Sequence, residues 1–115
     1  MRPELNTTIK GNENEALAVD FLVTEGFQII ETNFYARKLG EIDIVAIQDD
    51  VLHFIEVKSG QADFDPIYNF TASKQRKVIN SAYYYMKVKK MDMVFSIDLV
   101  LVRWGEIEFL ENVTM

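Results

Sequence analysis

The sequence predicts a small α/β domain with a mixed sheet, in the order helix, three strands, helix, two strands. Three observations carry that expectation. Apolar residues recur at helical spacing in two separate stretches, an alternating hairpin pattern lies between them, and a nearly continuous β-branched run follows the second stretch. At 115 residues the chain is one domain by length, and about half of it is apolar, enough to bury a core without a staple.

Each element has its own signal. Asn12 followed by Glu15 resembles a capping box that opens the first helix, with Leu17, Ala18, Phe21 and Leu22 on its apolar side and Gly26 as the stop. Phe27 to Phe34 reads as a strand and Arg37 to Gly40 as a turn. Glu41 to Gln48 and Val51 to Lys58 then form a hairpin around Asp49 and Asp50. Residues 59–70 contain Gly60 and Pro66 and have no period, so a loop is expected there. The second helix runs from about Thr71 to Lys89, with Gln75, Val78, Ile79, Ala82 and Met86 in one stripe. Val94 to Val102 has the pattern of a central strand covered on both faces, and Glu106 to Leu110, with alternating acids, that of an exposed edge.

Composition narrows the function classes. The absence of cysteine removes disulfides, thiolate zinc sites and cysteine nucleophiles, and fits a reducing compartment. The first residues contain no apolar signal core and no run approaches a membrane span, so a cytoplasmic location with no membrane partner is expected. A net charge of -6 weakly disfavours nucleic acid. Its distribution softens the objection, because six of the twelve basic residues lie between Lys74 and Lys90.

The hairpin carries charge inside its apolar run. With a two-residue turn at Asp49-Asp50, Gln48 faces Val51 and Asp43 faces Glu56; a longer turn would shift this by about one position. Facing Cβ atoms lie about 4.5 to 5.5 Å apart, and two carboxylates at that range repel by roughly 3 kcal/mol at an effective dielectric near 20. A proton on one acid relieves the repulsion, and so does a divalent cation. Lys58 lies two residues beyond Glu56, on the same face, where it could orient a phosphate or a water. In the same register Glu41 faces Lys58, so a surface salt-bridge ladder also accounts for part of the pattern.

The spacing Asp43, twelve residues, then Glu56-Val57-Lys58 resembles the PD-(D/E)xK signature of restriction-endonuclease-like proteins. GEIDIVA at 40–46 and FIEVK at 54–58 are similar to the paired motifs of the YraN-like family. Gly11, Glu15, Ala18, Gly26-Phe27, Asn33, Lys74-Gln75-Arg76, Ala82, Phe95 and Asp98 follow the same framework, so the resemblance runs from about Lys10 to Val102. It implies a restriction-endonuclease-like three-layer fold around a five-stranded mixed sheet. It also implies a Mg²⁺ or Mn²⁺ dependent nuclease hydrolysing phosphodiester bonds in nucleic acid, DNA above all. Asp43, Glu56 and the Val57 carbonyl would hold the metal, and Lys58 would orient the attacking water. Glu15 would approach from the first helix to hold a second metal or an outer water. Gln75 would meet the phosphate, with Lys74, Arg76 and Lys77 forming a phosphate-tracking face. The chain departs from the family pattern at Asn14, where glycine is usual, and at Gly60, where an arginine is usual and would contact phosphate.

Plainer roles compete for several of these residues. Glu15 could cap the Asn12 amide, Gln75 could bond a backbone group, and Asp98 reads as a hydrogen-bonded structural acid. Tyr83, Tyr84 and Tyr85 point around the helix, so at least one belongs to the core. His53 alternates away from Glu56 and has no support as a general base. Two other functions stay open: a non-catalytic nucleic-acid-binding module with a degenerate site, and a scaffold that binds a partner through the edge near Ile107 and Phe109. A homodimer would suit cutting two strands.

Overall fold

The computed structural model describes residues 3–60 and 70–114, with side chains from residue 13 onward. The elements follow the predicted order: α1 (Pro3–Thr24), β1 (Gln28–Tyr35), β2 (Glu41–Gln48), β3 (Val51–Ser59), α2 (Ala72–Lys89), β4 (Phe95–Arg103) and β5 (Glu106–Leu110), with a 3₁₀ turn at Arg37–Leu39. The strands lie side by side in chain order. Only the pairing of β3 with β4 is parallel; the other three neighbours are antiparallel. A parallel pair needs a long crossover, and α2 supplies it.

The two helices cover opposite faces of the sheet. Ala18 and Leu22 of α1 pack with Ile44, Ala46, Ile55 and Val100. Val78, Ala82 and Tyr85 of α2 pack with Val45, Leu52, Phe54, Ile97 and Leu99. This alternation along β2, β3 and β4 makes three layers, and it explains why these strands read as continuous apolar runs: both faces are core. Each fully buried Leu, Ile or Phe contributes about 1.5 to 3 kcal/mol of transfer free energy. No helix among the described residues is long and apolar enough to cross a membrane.

The helix ends show where sequence signals succeed and fail. Phe27 donates its amide to the Leu22 carbonyl at 2.9 Å and Gly26 to Val23 at 3.0 Å, closing α1 around a glycine at φ 94°. That pattern of reversed bonds is how a helix ends on a left-handed residue. The expected start is corrected. Asn12 lies inside α1, which begins at Pro3, so it is no cap: a capping residue needs non-helical backbone with free amides ahead of it. In α2 the cap is Thr71, whose side chain accepts from the Lys74 amide. The loop expected at 59–70 lies mostly at 61–69, outside the described residues; Ser59 ends β3 and Phe70 is buried.

The β2–β3 and β4–β5 hairpins each turn on two residues with positive φ. Asp49 and Asp50 sit at 53° and 64°, and Trp104 and Gly105 at 51° and 77°. This is the turn whose twist matches that of the strands it joins. At β2 and β3 it fixes the predicted register, with Gln48 opposite Val51 and Ile44 opposite Ile55. β5 is an edge strand, paired with β4 alone.

Candidate metal and phosphate site

The ladder between β2 and β3 ends at Ile44 and Ile55, one step before the two acids. There a side chain replaces the backbone bond. Asp43 Oδ2 accepts the Val57 amide at 2.8 Å, and the Asp43 carboxyl is also hydrogen-bonded to that of Glu56. Glu56 is 7% exposed and its pKa is pushed up to about 9, first by burial and then by the Asp43 charge and the hydrogen bond between them. Lys58 and Glu41 act on it more weakly and with opposite sign. Burial and the neighbouring Asp43 charge thus favour the protonated form of Glu56.

Asp43 and Glu56 are the residues that could hold a hard divalent ion. Two carboxylate groups and a neighbouring carbonyl, with water and a substrate oxygen completing the shell, are what Mg²⁺ or Mn²⁺ takes from such sites. Among the described residues there is no group of three acids or histidines close enough to share one ion.

Glu15, on α1, is electrostatically coupled to Asp43 and Glu41, and it accepts from Asn33 Nδ2 at 2.7 Å. Burial raises its pKa, the Asn33 bond works against that rise, and the charges of Asp43 and Glu41 add to it. Asn33 reaches Glu15 from β1 with φ 54°, in the left-handed region. Glu15 thus has a partner from the sheet, and the capping role is removed with Asn12.

A cleft of about 180 Å³ opens beside the acid pair between α2 and the end of the sheet, lined by Glu41, Glu56, Lys58, Lys74, Lys77 and Ser81 among others. Lys74, Lys77 and Ser81 fall on one helix stripe at spacings of three and four, which is how α2 presents two ammonium groups to the same opening. The remaining expected residues sit elsewhere. Gln75 donates Nε2 to the Phe70 carbonyl at 2.9 Å, and Arg76 is exposed outside the cleft lining. Tyr85 is buried, Tyr84 packs on Phe34, and Tyr83 is half exposed against Phe95. Ile107 and Phe109, expected at an open edge, pack into the α1 side, with Phe109 against Phe21 and Phe27.

One polar cluster escaped the sequence. Asp98 is fully buried and accepts from Ser96 Oγ, from the Asn112 amide at 2.8 Å, and from His53 Nδ1 at 2.6 Å. The structural role expected for Asp98 is what the geometry gives, and His53 is its partner. His53 faces Ser96 across the parallel pair, so a lone histidine in one apolar strand and an acid in the next were the available signal. Only the register joins them.

Fold and site together define a three-layer α/β protein with an acid pair, Glu56 buried and Asp43 half-buried, and a neighbouring lysine at one end of a mixed sheet. The chain belongs to the uncharacterised protein family UPF0102, whose profile matches residues 14–102. This agrees with the YraN-like resemblance of its motifs. It is 64% identical over 107 residues to a UPF0102 protein of Sulfurovum sp. (strain NBC37-1), covering 93% of this chain and 95% of the relative. It is 50% identical over 106 residues to one of Wolinella succinogenes, with 92% and 96% covered. A Helicobacter pylori (strain HPAG1) relative is 49% identical over 105 residues, with 91% and 90% covered.

Proposed function

We propose that this protein is a metal-dependent nuclease with a restriction-endonuclease-like fold that hydrolyses phosphodiester bonds in nucleic acid, DNA first. The observation that carries the reading is the contact between the Asp43 and Glu56 carboxyls beside Lys58, on the wall of a cleft with two further lysines. Asp43, Glu56 and the Val57 carbonyl would hold Mg²⁺ or Mn²⁺. Once bound, the ion offsets charge developing on the phosphate and makes its water a better nucleophile. The chain's own groups do the rest. Lys58, on the same strand face as Glu56, orients the attacking water and the phosphate oxygens. Lys74 and Lys77 grip the substrate phosphates from α2. Glu15, next to Asp43, orders an outer water.

Cleavage of duplex, flapped, gapped and four-way DNA with either metal, beside Lys58→Ala, tests this. Wild-type cutting that falls on the order of 10²-fold in Lys58→Ala, with Mn²⁺ binding retained, supports it. Equal cutting by both proteins identifies a contaminant and would falsify the catalytic assignment. A second reading, a nucleic-acid-binding module with a degenerate site, is favoured by two features: Gly60 where the family resemblance implies an arginine, and Gln75 engaged with Phe70. Salt-sensitive DNA retardation with no cleavage of any structure selects it.

A further inference from the structure

The end of the sheet that carries the acid pair also carries two exposed aromatic side chains. Tyr35 is 70% exposed and pairs with Glu41. Glu41 and Lys58 both line the cleft, and Lys58 pairs with Leu101 on β4. Trp104 lies just beyond, at the tip of the β4–β5 turn, 76% exposed. With adjacent strands about 4.8 Å apart, the row from β1 to β4 spans roughly 14 Å, with Lys58 inside it.

Trp104 is an unusual choice for that place. Its φ of 51° belongs to a turn position where asparagine or aspartate is common and a bulky side chain is strained. The strain holds an indole out in solvent, and strain of this kind points from an outlier to a role.

Charge says which role. Glu41 and Glu56 line the cleft beside Lys58, Lys74 and Lys77, and the charges of Asp43 and Glu41 are felt at Glu15, in a chain of net charge -6. Phosphate neutralisation alone is a weak source of affinity here, so binding must draw on contacts that need no charge. Aromatic faces supply them to bases that have left the stack, whereas a paired duplex offers none.

Building on the nuclease reading, we propose that Trp104 and Tyr35 are stacking platforms for unpaired bases on either side of the cleft, making single-stranded or splayed nucleic acid the preferred ligand.

Trp104 is the sole tryptophan, so intrinsic fluorescence reports on it alone. The wild-type chain in EDTA is titrated with oligo-dT and with a duplex of equal length, and fluorescein anisotropy of the labelled strands is followed in wild type, Trp104→Ala, Trp104→Phe and Tyr35→Ala. Expected are quenching by oligo-dT, oligo-dT affinity weaker by about tenfold in each alanine variant, recovery in Trp104→Phe, and unchanged duplex affinity and melting temperature. The proposal is overturned by wild-type oligo-dT binding that leaves the emission unaltered, by alanine variants that bind oligo-dT like wild type, or by equal losses for duplex. A self-association that vanishes in Trp104→Ala also overturns it, by giving the tip to a second copy of the chain. Each of these results leaves metal-dependent cleavage standing. A wild type that binds neither ligand sinks the nuclease reading as well.

Discussion

At the scale of single residues, Glu56 determines most of the site's chemistry. Its folded pKa of about 9 stands above the ordinary value of 4.5, so between these pH values the folded chain holds a proton that the unfolded chain has released. Its contribution to stability is fully present below about 4.5 and is lost as pH rises towards 9. Metal-free protein should therefore lose stability over that window, and Glu56→Gln should flatten the slope; chemical denaturation at stepped pH measures both. A divalent ion must displace the same proton. Calorimetric titration with Mn²⁺ in buffers of different ionisation enthalpy should show close to one proton released per ion, with affinity rising with pH. Asp43→Ala should abolish that heat.

At the scale of elements, the β3–β4 pair is held by more than its ladder. Asp98 draws donors from β3, β4 and the segment after β5, so Asp98→Ala takes the acceptor from two buried side chains, His53 and Ser96, and from the amide of the exposed Asn112. A loss of about 3 to 5 kcal/mol is expected, measured as a lower urea midpoint. The end of α1 is a milder case. Gly26→Ala forces a Cβ onto a φ of 94° and to 3.3 Å from Gln48 Nε2, the same amide that donates to the Glu25 carbonyl. Thermal unfolding should report a loss of roughly 1 to 2 kcal/mol. Both variants should bind Mn²⁺ as wild type does once folded, because neither touches the acid pair.

At the scale of the whole molecule, the proposed function would require an acidic chain to present its few cations in one direction. α2 places Lys74 and Lys77 in the lining of the cleft, with Glu56 and Lys58 of β3 lining it as well. The double variant Lys74→Ala/Lys77→Ala should lower the slope of log affinity against log salt by about 1 to 2, across all sequences alike. Stability should hardly change, since both side chains are exposed. Gel retardation at stepped salt checks the slope, and thermal melting checks the control.

The sequence by itself determined the element order, the hairpin turn at Asp49-Asp50 and the partnership of Asp43 with Glu56, because those depend on neighbours along the chain: side-chain period, turn chemistry and a two-residue register. It misplaced the start of α1, since a Ser/Thr/Asn/Asp-x-x-Glu pattern marks a cap only where the helix has not already begun. Tertiary structure alone decided that Asp98 belongs to His53, that Glu15 is bound by Asn33, that Gln75 turns back to Phe70, and that Trp104 stands at the same end as Lys58. Each of those depends on which strand lies beside which after a crossover, and the distance between two side chains then follows from the sheet, where no local spacing records it.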